Sequence, residues 1–259
     1  MSIQTKRPPE RHAVLPGIPE ELERFRDKKV YFAIPTRGND IYWGQVQFLI
    51  SQFKIFENAA LFYGVSGHKC AIEHMLERLT TRPFDYVYFM DADIGPLPLT
   101  TLKLLSREVD VVQSPVWMYD PDQNDIHLNY HPVRDGEVLW RHHAPKDNEG
   151  LKPIVSGSMA SVLISKKVLD AFKNAGESFT TWTPFLDEKL SDMPADVVFW
   201  AKVCKFGFKL YIDWDVEFAT HHRLVELCPD SLNYYLQARA IETLYPNGEQ
   251  KKIGQLANA

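Results

Sequence analysis

Phe84-Asp85-Tyr86-Val87-Tyr88-Phe89-Met90 is an aromatic and branched run that stops abruptly at Asp91-Ala92-Asp93. Tyr86 to Met90 shows no polar alternation, which predicts a strand buried on both faces, and such strands belong to sheets covered by helices on either side. Ile94-Gly95-Pro96-Leu97-Pro98 then breaks regular structure before a helix begins at Leu99 or Thr100. Two acids at the carboxyl end of a buried strand lie where open α/β sheets bind their ligands. Hard carboxylate oxygens in that place suit a divalent cation that bridges the phosphates of a nucleotide. Acids after a strand are also turn formers and helix caps, so Asp-x-Asp alone decides nothing.

The flanking chain repeats the same pattern. Val30–Ile34 reads as a first buried strand closed by Pro35-Thr36-Arg37-Gly38-Asn39, and Ala59–Tyr63 as a second that ends at Gly64-Val65-Ser66-Gly67. Trp43, Val46, Phe48, Leu49, Ile50 and Phe53 have helical spacing, and Ala71–Leu79 predicts the next helix. A helix over Leu99–Arg107 and a strand over Val109–Ser114 follow. Strands alternating with helices predict an α/β fold with a mostly parallel central sheet flanked by helices on both faces. Trp117–Pro153 interrupts the pattern with an irregular segment rich in Asp, Asn, His and Pro, containing a hairpin around Arg134-Asp135-Gly136-Glu137. Regularity returns with a strand over Gly157–Ile164 and helices over Lys166–Ala175 and from Pro194-Ala195-Asp196 to Val203. Short strands at Phe208–Ile212 and Val216–Phe218 precede His221-His222, and a helical stretch covers Leu232–Thr243. The domain reading is an N-terminal arm over 1–27 with at most a short helix near Glu20–Arg26, a main domain over 28–223, and a C-terminal helical extension and tail over 224–259.

Composition narrows the class. A chain of 259 residues with 45% apolar and 24% charged side chains can bury a large core, and its net charge of −5 argues against a broadly basic nucleic-acid surface. Cys70, Cys204 and Cys228 show no CxxC pairing, which argues against a disulfide framework or structural zinc. The first thirty residues hold no apolar core of signal-peptide length, and no run is long enough to span a bilayer, so the expected location is cytoplasmic, without membrane insertion. Gly-x-Gly-x-x-Gly and the Gly-x-x-x-x-Gly-Lys-Ser/Thr loop are both absent, so phosphate charge must be met by a metal and a few cations.

Several constellations offer that chemistry. His221 and His222 are imidazoles beyond a short strand, and adjacent residues of an extended chain point opposite ways, so one of them is a third metal ligand or the pair is a surface cap. Asp196, in the first turn of its helix, is either a general base for an attacking hydroxyl or a charge favoured by the helix dipole. Asp187, Glu188 and Asp192 are rivals for that base. Arg37 and Lys69 are cations beside strand ends with reach to phosphates. Trp117, Tyr119, Tyr130, Trp140 and Trp182 could stack on sugar or base rings or belong to the core. His127 and His131 lie in the irregular segment and could face an acceptor, whereas His142-His143 reads as loop surface.

Taken in order, Ile34-Pro35-Thr36-Arg37, Tyr88-Phe89-Met90-Asp91-Ala92-Asp93-Ile94, Gly157-Ser158-Met159, Ala195-Asp196-Val197-Val198-Phe199 and Gly207–Asp213 leading to His221-His222 resemble the GT-A-fold glycosyltransferases. The likeness is to the short soluble members of family 2 often encoded by bacteriophages, and it spans roughly Lys28 to Arg223. It implies a Rossmann-like mostly parallel sheet with a small secondary hairpin or sheet, a UDP-sugar donor, Mn²⁺ or Mg²⁺ on the diphosphate, and inversion at the anomeric carbon; a phage protein of this kind would work in the host cytoplasm. Carried over by position, Asp91 contacts the nucleotide ribose or the metal, Asp93 ligates the metal, one of His221 and His222 completes the site, and Asp196 is the base. Pro35, Thr36 and Arg37 line the uridine pocket, with Ala92 beside the donor.

Two departures stand out. The acid pair usual before the catalytic helix is Ala195-Asp196 here, and the usual Arg-Asn at the start of the second helix is Lys69-Cys70. The acceptor stays open between a hydroxymethylated pyrimidine in DNA, for which Lys202, Lys205 and Lys209 would form a phosphate-holding strip, and a saccharide or protein. A nucleotide-sugar nucleotidyltransferase and a silent binding module of similar fold are the alternative classes.

Overall fold

The protein is described from a computed structural model. It covers residues 17–36, 43–65, 68–92, 94–120, 125–128, 130–131, 133–134, 137–138, 149–216, 220–223 and 225–227, with backbone alone for 36, 43, 62–65, 68–71, 117–138 and 220–227. Helix α1 (Glu20–Glu23) leads into β1 (Lys29–Thr36), α2 (Trp43–Ile55), β2 (Asn58–Val65), α3 (His68–Leu79) and β3 (Tyr86–Met90). The two-residue β4 (Ile94–Gly95), α4 (Thr100–Leu105) and β5 (Val111–Gln113) follow. Next come β6 (Trp117–Asp120), β7 (Asp125–Leu128), β8 (Tyr130–His131), β9 (Val133–Arg134) and β10 (Glu137–Val138). The chain continues through β11 (Leu151–Ile154), β12 (Ser156–Gly157), β13 (Ser161–Ser165), α5 (Lys166–Ala175) and α6 (Ala195–Lys205), then β14 (Leu210–Asp213), β15 (Thr220–Arg223) and β16 (Val225–Leu227).

The central sheet has seven strands in the order β11-β14-β5-β13-β3-β1-β2. Strands β14, β5, β3, β1 and β2 run in one direction, and β13 and β11 run against them. The fold is therefore α/β with a mostly parallel sheet, as the alternation of strands and helices predicts. Strand β3 explains why its apolar run has no alternation: Val87 and Phe89 enter the cluster formed by α3, α5 and α6, while Tyr88 and Met90 enter the one formed by α2 and α4. Both faces are covered, so every position is apolar. Leu22 and Phe25, in the expected N-terminal arm, are buried in the second of these clusters beside Phe32.

Three readings of the chain change. Gly157–Ile164 is two elements, because β12 pairs with β8 while β13 alone joins the sheet, with a turn between them. Trp117–Pro153 is more regular than its composition suggests, with β6–β7 as one hairpin and β9–β10 as another, the second centred where Arg134–Glu137 predicts it. Val216 belongs to the turn that follows β14 rather than to a strand, and 217–219 lie outside the described residues. The stretch Leu232–Thr243 also lies outside them. Helices α5 and α6 are followed by Gly176 and Gly207 at φ 69° and 85°, where the left-handed backbone closes the last turn without a Cβ penalty.

Candidate functional site

The carboxyl edge of the parallel strands collects the candidates. Ala33 is level with Phe89 and Thr36 with Val65, so Pro35-Thr36, the start of α3 with Lys69, and Asp91-Ala92 all leave the sheet at one edge. Strand β13 runs the other way, and Ser161 opposite Met90 brings the preceding Ser158-Met159-Ala160 turn to the same edge. The Asp91 amide donates to the Ala160 carbonyl at 3.2 Å, and the Asp91 carbonyl accepts from the Ile94 amide at 3.1 Å. Asp91 thus begins a tight turn and has its own main chain held from both sides. Asp91 and Ala92 are partly buried, and Pro35 is buried.

After the turn, β4 pairs antiparallel with β15, in a register that sets His221 opposite Ile94 and Thr220 opposite Gly95. A strand far along the chain is laid against the two residues that follow Asp93. Strand β16 extends this small sheet, with His222 opposite Glu226. Arg37 and Asp93 lie outside the described residues, and the backbone alone is described for Thr36, Lys69, His221 and His222. Among the described residues no group of three or more His, Cys, Asp or Glu side chains is arranged for a metal. The main chain nonetheless lays an imidazole-bearing strand beside the connection that Asp91 begins, and carboxylate with imidazole is a donor chemistry that suits a hard or borderline divalent cation.

Asp196 occupies the first turn of α6 behind Pro194, partly buried, with Oδ1 accepting from the Val197 amide at 3.0 Å. Helix α6 packs on β12, whose Ser156 lies opposite His131 of β8, so part of the irregular segment pairs with the strand that α6 covers. Among the rivals, Asp187 caps a short 3₁₀ turn by accepting from the Lys189 amide at 2.9 Å, and Glu188 and Asp192 are exposed. Trp182 is partly buried, and its Nε1 donates to the Asp187 carbonyl at 3.0 Å.

Of the three lysines read as a phosphate-holding strip, Lys205 and Lys209 are exposed, but Lys202 is not on the surface. Lys202 is fully buried, and its ammonium donates to Glu177 Oε2 at 2.8 Å, to the Ser178 and Thr181 carbonyls at 2.8 and 3.0 Å, and to Ser178 Oγ at 3.1 Å. Lys205 bonds the Phe185 carbonyl and lies over the Phe185 ring. Both lysines hold the 176–187 loop onto α6, and the Lys202 ammonium does so because a buried charge needs its donors satisfied. Glu73 of α3 holds the same loop from the other side by accepting from the amides of Phe179 and Thr180 at 2.7 and 2.6 Å.

Other polar residues at this edge escape a reading by motif. Tyr88 Oη and Ser114 Oγ each lie 2.5 Å from Ser161 Oγ, a buried hydroxyl chain across β3, β13 and β5. Burial pushes the Tyr88 phenol well above its ordinary range, and the two serine hydroxyls only partly offset that. Gln113 Oε1 accepts from the Ser158 amide at 3.1 Å, directly over Gly157. On α2, Gln45 and Gln52 are fully buried, while Ile50 and Phe53 of the same helix are 45% and 47% exposed. Gln45 Nε2 donates to the Asp91 carbonyl and Gln52 Nε2 to the Pro98 carbonyl, each at 2.8 Å. The signal in the sequence was a pair of glutamines two helical turns apart among apolar residues.

No protein-family model matches the sequence, and no curated protein matches it. Among solved structures the chain is similar to A197 from STIV, at 16% identity and a TM-score of 0.50, over 78% of this chain and 91% of that one. It also matches CMP:2-keto-3-deoxy-manno-octonic acid synthetase in complex with CTP, at 12% identity and a TM-score of 0.43, over 83% and 99% of the two chains. A third match is 4-diphosphocytidyl-2C-methyl-D-erythritol synthase from Anaerococcus prevotii, at 12% identity and a TM-score of 0.41, over 81% and 99%. The last two likenesses are too distant to argue from. The first supports the α/β fold of this chain, and the fold alone.

Proposed function

We propose that this protein is a glycosyltransferase of the GT-A type, moving a sugar from a UDP-sugar to a hydroxyl acceptor. The pairing of His221 with Ile94 carries the reading, because it joins the only imidazole pair predicted as ligands to the turn that bears Asp91 and Asp93. Support comes also from α6, which holds Asp196 in its first turn.

In this reading Pro35, Thr36 and Arg37 hold the uridine, and Asp91 and Ala92 adjoin the ribose. Asp91, Asp93 and one of His221 and His222 would hold Mn²⁺ or Mg²⁺, and Lys69 would serve the phosphates. The cation, when bound, offsets charge on the leaving diphosphate. The Asp196 carboxylate accepts the proton of the acceptor hydroxyl as its oxygen bonds to the anomeric carbon, and the bond from that carbon to the diphosphate breaks with inversion. The main domain is 28–223, with 1–27 and 224–259 as its extensions.

The test is mass spectrometry of acceptors incubated with a panel of UDP-sugars and Mn²⁺. Hydroxymethylated DNA, oligosaccharides and peptides form the separate arms. A hexose-sized mass gain in one arm, lost in Asp196→Asn while UDP still binds, is expected. Transfer undiminished in Asp196→Asn would remove the base, and pyrophosphate release from a nucleoside triphosphate and a sugar would replace the reading with nucleotidyl transfer.

A further inference from the structure

Helix α2 is oriented against its own hydrophobicity. Ile50 and Phe53 face outward, whereas Gln45, Ser51 and Gln52 are buried with Phe48, Leu49 and Ile55. A helix free to turn its most apolar stripe inward would not bury two amides. Both glutamines spend an amide hydrogen on a main-chain carbonyl, and the two carbonyls are those of Asp91 and Pro98, the two ends of the connection that contains Ala92, Asp93 and β4. Neither Gln45 Oε1 nor Gln52 Oε1 finds a hydrogen-bond partner among the described residues. The arrangement therefore keeps two buried acceptors unmatched in exchange for holding one loop, and such conflicts between local preference and fold concentrate at functional sites.

We propose that Gln45 and Gln52 are positioning residues for the connection from Asp91 to Pro98, gripping its two ends so that the acid-bearing turn at its start keeps the shape needed for the cation and diphosphate. The proposal rests on the glycosyltransferase reading. Gln45 has the larger effect, because its bond falls on Asp91 itself, while Gln52 acts at the far end through Pro98. Stability is not the reason for the grip. The Asp91 carbonyl still accepts from the Ile94 amide when Gln45 is gone, and an apolar replacement also removes the unmatched oxygen.

The experiment compares the full chain with Gln45→Met, Gln52→Met and Leu49→Ala by calorimetric titration of UDP with and without Mn²⁺, alongside the thermal midpoint. Leu49 is buried on the same face of α2 and serves as a purely structural control. Gln45→Met is expected to weaken Mn²⁺-dependent UDP binding tenfold or more with a midpoint at or above the parent's, and Gln52→Met to weaken it severalfold. Leu49→Ala lowers the midpoint and leaves the affinity unchanged. Parental affinity in Gln45→Met, or equal weakening in Leu49→Ala, overturns the positioning role alone. Absence of Mn²⁺-dependent UDP binding in the parent overturns the reading beneath it as well.

Discussion

The His221 backbone lies in register with Ile94, so a two-residue strand after the Asp91–Asp93 turn is completed by a strand from the far end of the chain. Adjacent residues of an extended chain point opposite ways, so the ligand reading assigns only one of His221 and His222 to the cation. Alanine replacement of one of them is expected to weaken Mn²⁺-dependent UDP binding at least tenfold, about 1.4 kcal/mol. The other should leave binding within twofold. Calorimetry of the two variants beside Asp93→Ala reads the difference, and equal, small effects in both histidine variants would take the imidazole out of the site.

Lys202 is fully buried, and the Glu177 side chain is 17% exposed. Removing one partner of such a pair leaves an uncompensated charge and three oxygens without their donor, which costs about 3–5 kcal/mol. Lys202→Ala should lower the unfolding free energy by that order in urea titration. A change below about 1 kcal/mol would mean that water satisfies the Glu177 carboxylate and the loop carbonyls instead.

Burial raises the Glu177 carboxyl, but hydrogen bonds from Lys202 and Thr183 outweigh it and hold the group below its ordinary value. A carboxyl depressed in the folded state stabilises it above the unfolded pKa, and that stability is lost as pH falls through the folded one. Stability measured from pH 7 downward should therefore fall less steeply in Glu177→Gln than in the parent.

The Tyr88 phenol shows the opposite sign. Its burial raises the folded pKa, so its contribution is complete below the ordinary phenol value, about 10, and is lost as pH rises beyond it. Tyr88→Phe is expected to cost about 1 kcal/mol at neutral pH, for the lost bond to Ser161, and to flatten the alkaline decline. An unchanged alkaline slope in denaturation at pH 9–11 would assign the decline to other groups.

Gly157 has no room for a side chain, because a Cβ there would fall on Gln113 Oε1 and lie 2.8 Å from its Cδ. Gln113 is buried and accepts from the Ser158 amide, so yielding would break that bond. Gly157→Ala should destabilise by about 1–3 kcal/mol in thermal unfolding. A neutral result would show that Gln113 swings aside without cost.

Much of the framework was legible from local pattern. Val30–Ile34 and Tyr86–Met90 declare buried strands because each position meets a covered face, and the Arg134–Glu137 turn announces its hairpin through Asp-Gly chemistry. Asp91 and Pro35 could be placed at one edge because parallel strands joined by helices put all their carboxyl ends there. Periodicity reports what a residue faces and is silent about which distant segment faces it. The antiparallel insertion of β13 between β3 and β5, and the meeting of His221 with Ile94, depend on pairings between segments far apart in the chain, which no local pattern encodes. Lys202 and Gln45 read as solvent residues by hydropathy, and only the carbonyls and carboxylates that the fold brings around them make their burial possible. The sequence by itself determined the layers and the edge at which chemistry can occur. The tertiary structure decided which polar groups are held inside, because that depends on partners supplied from elsewhere in the chain.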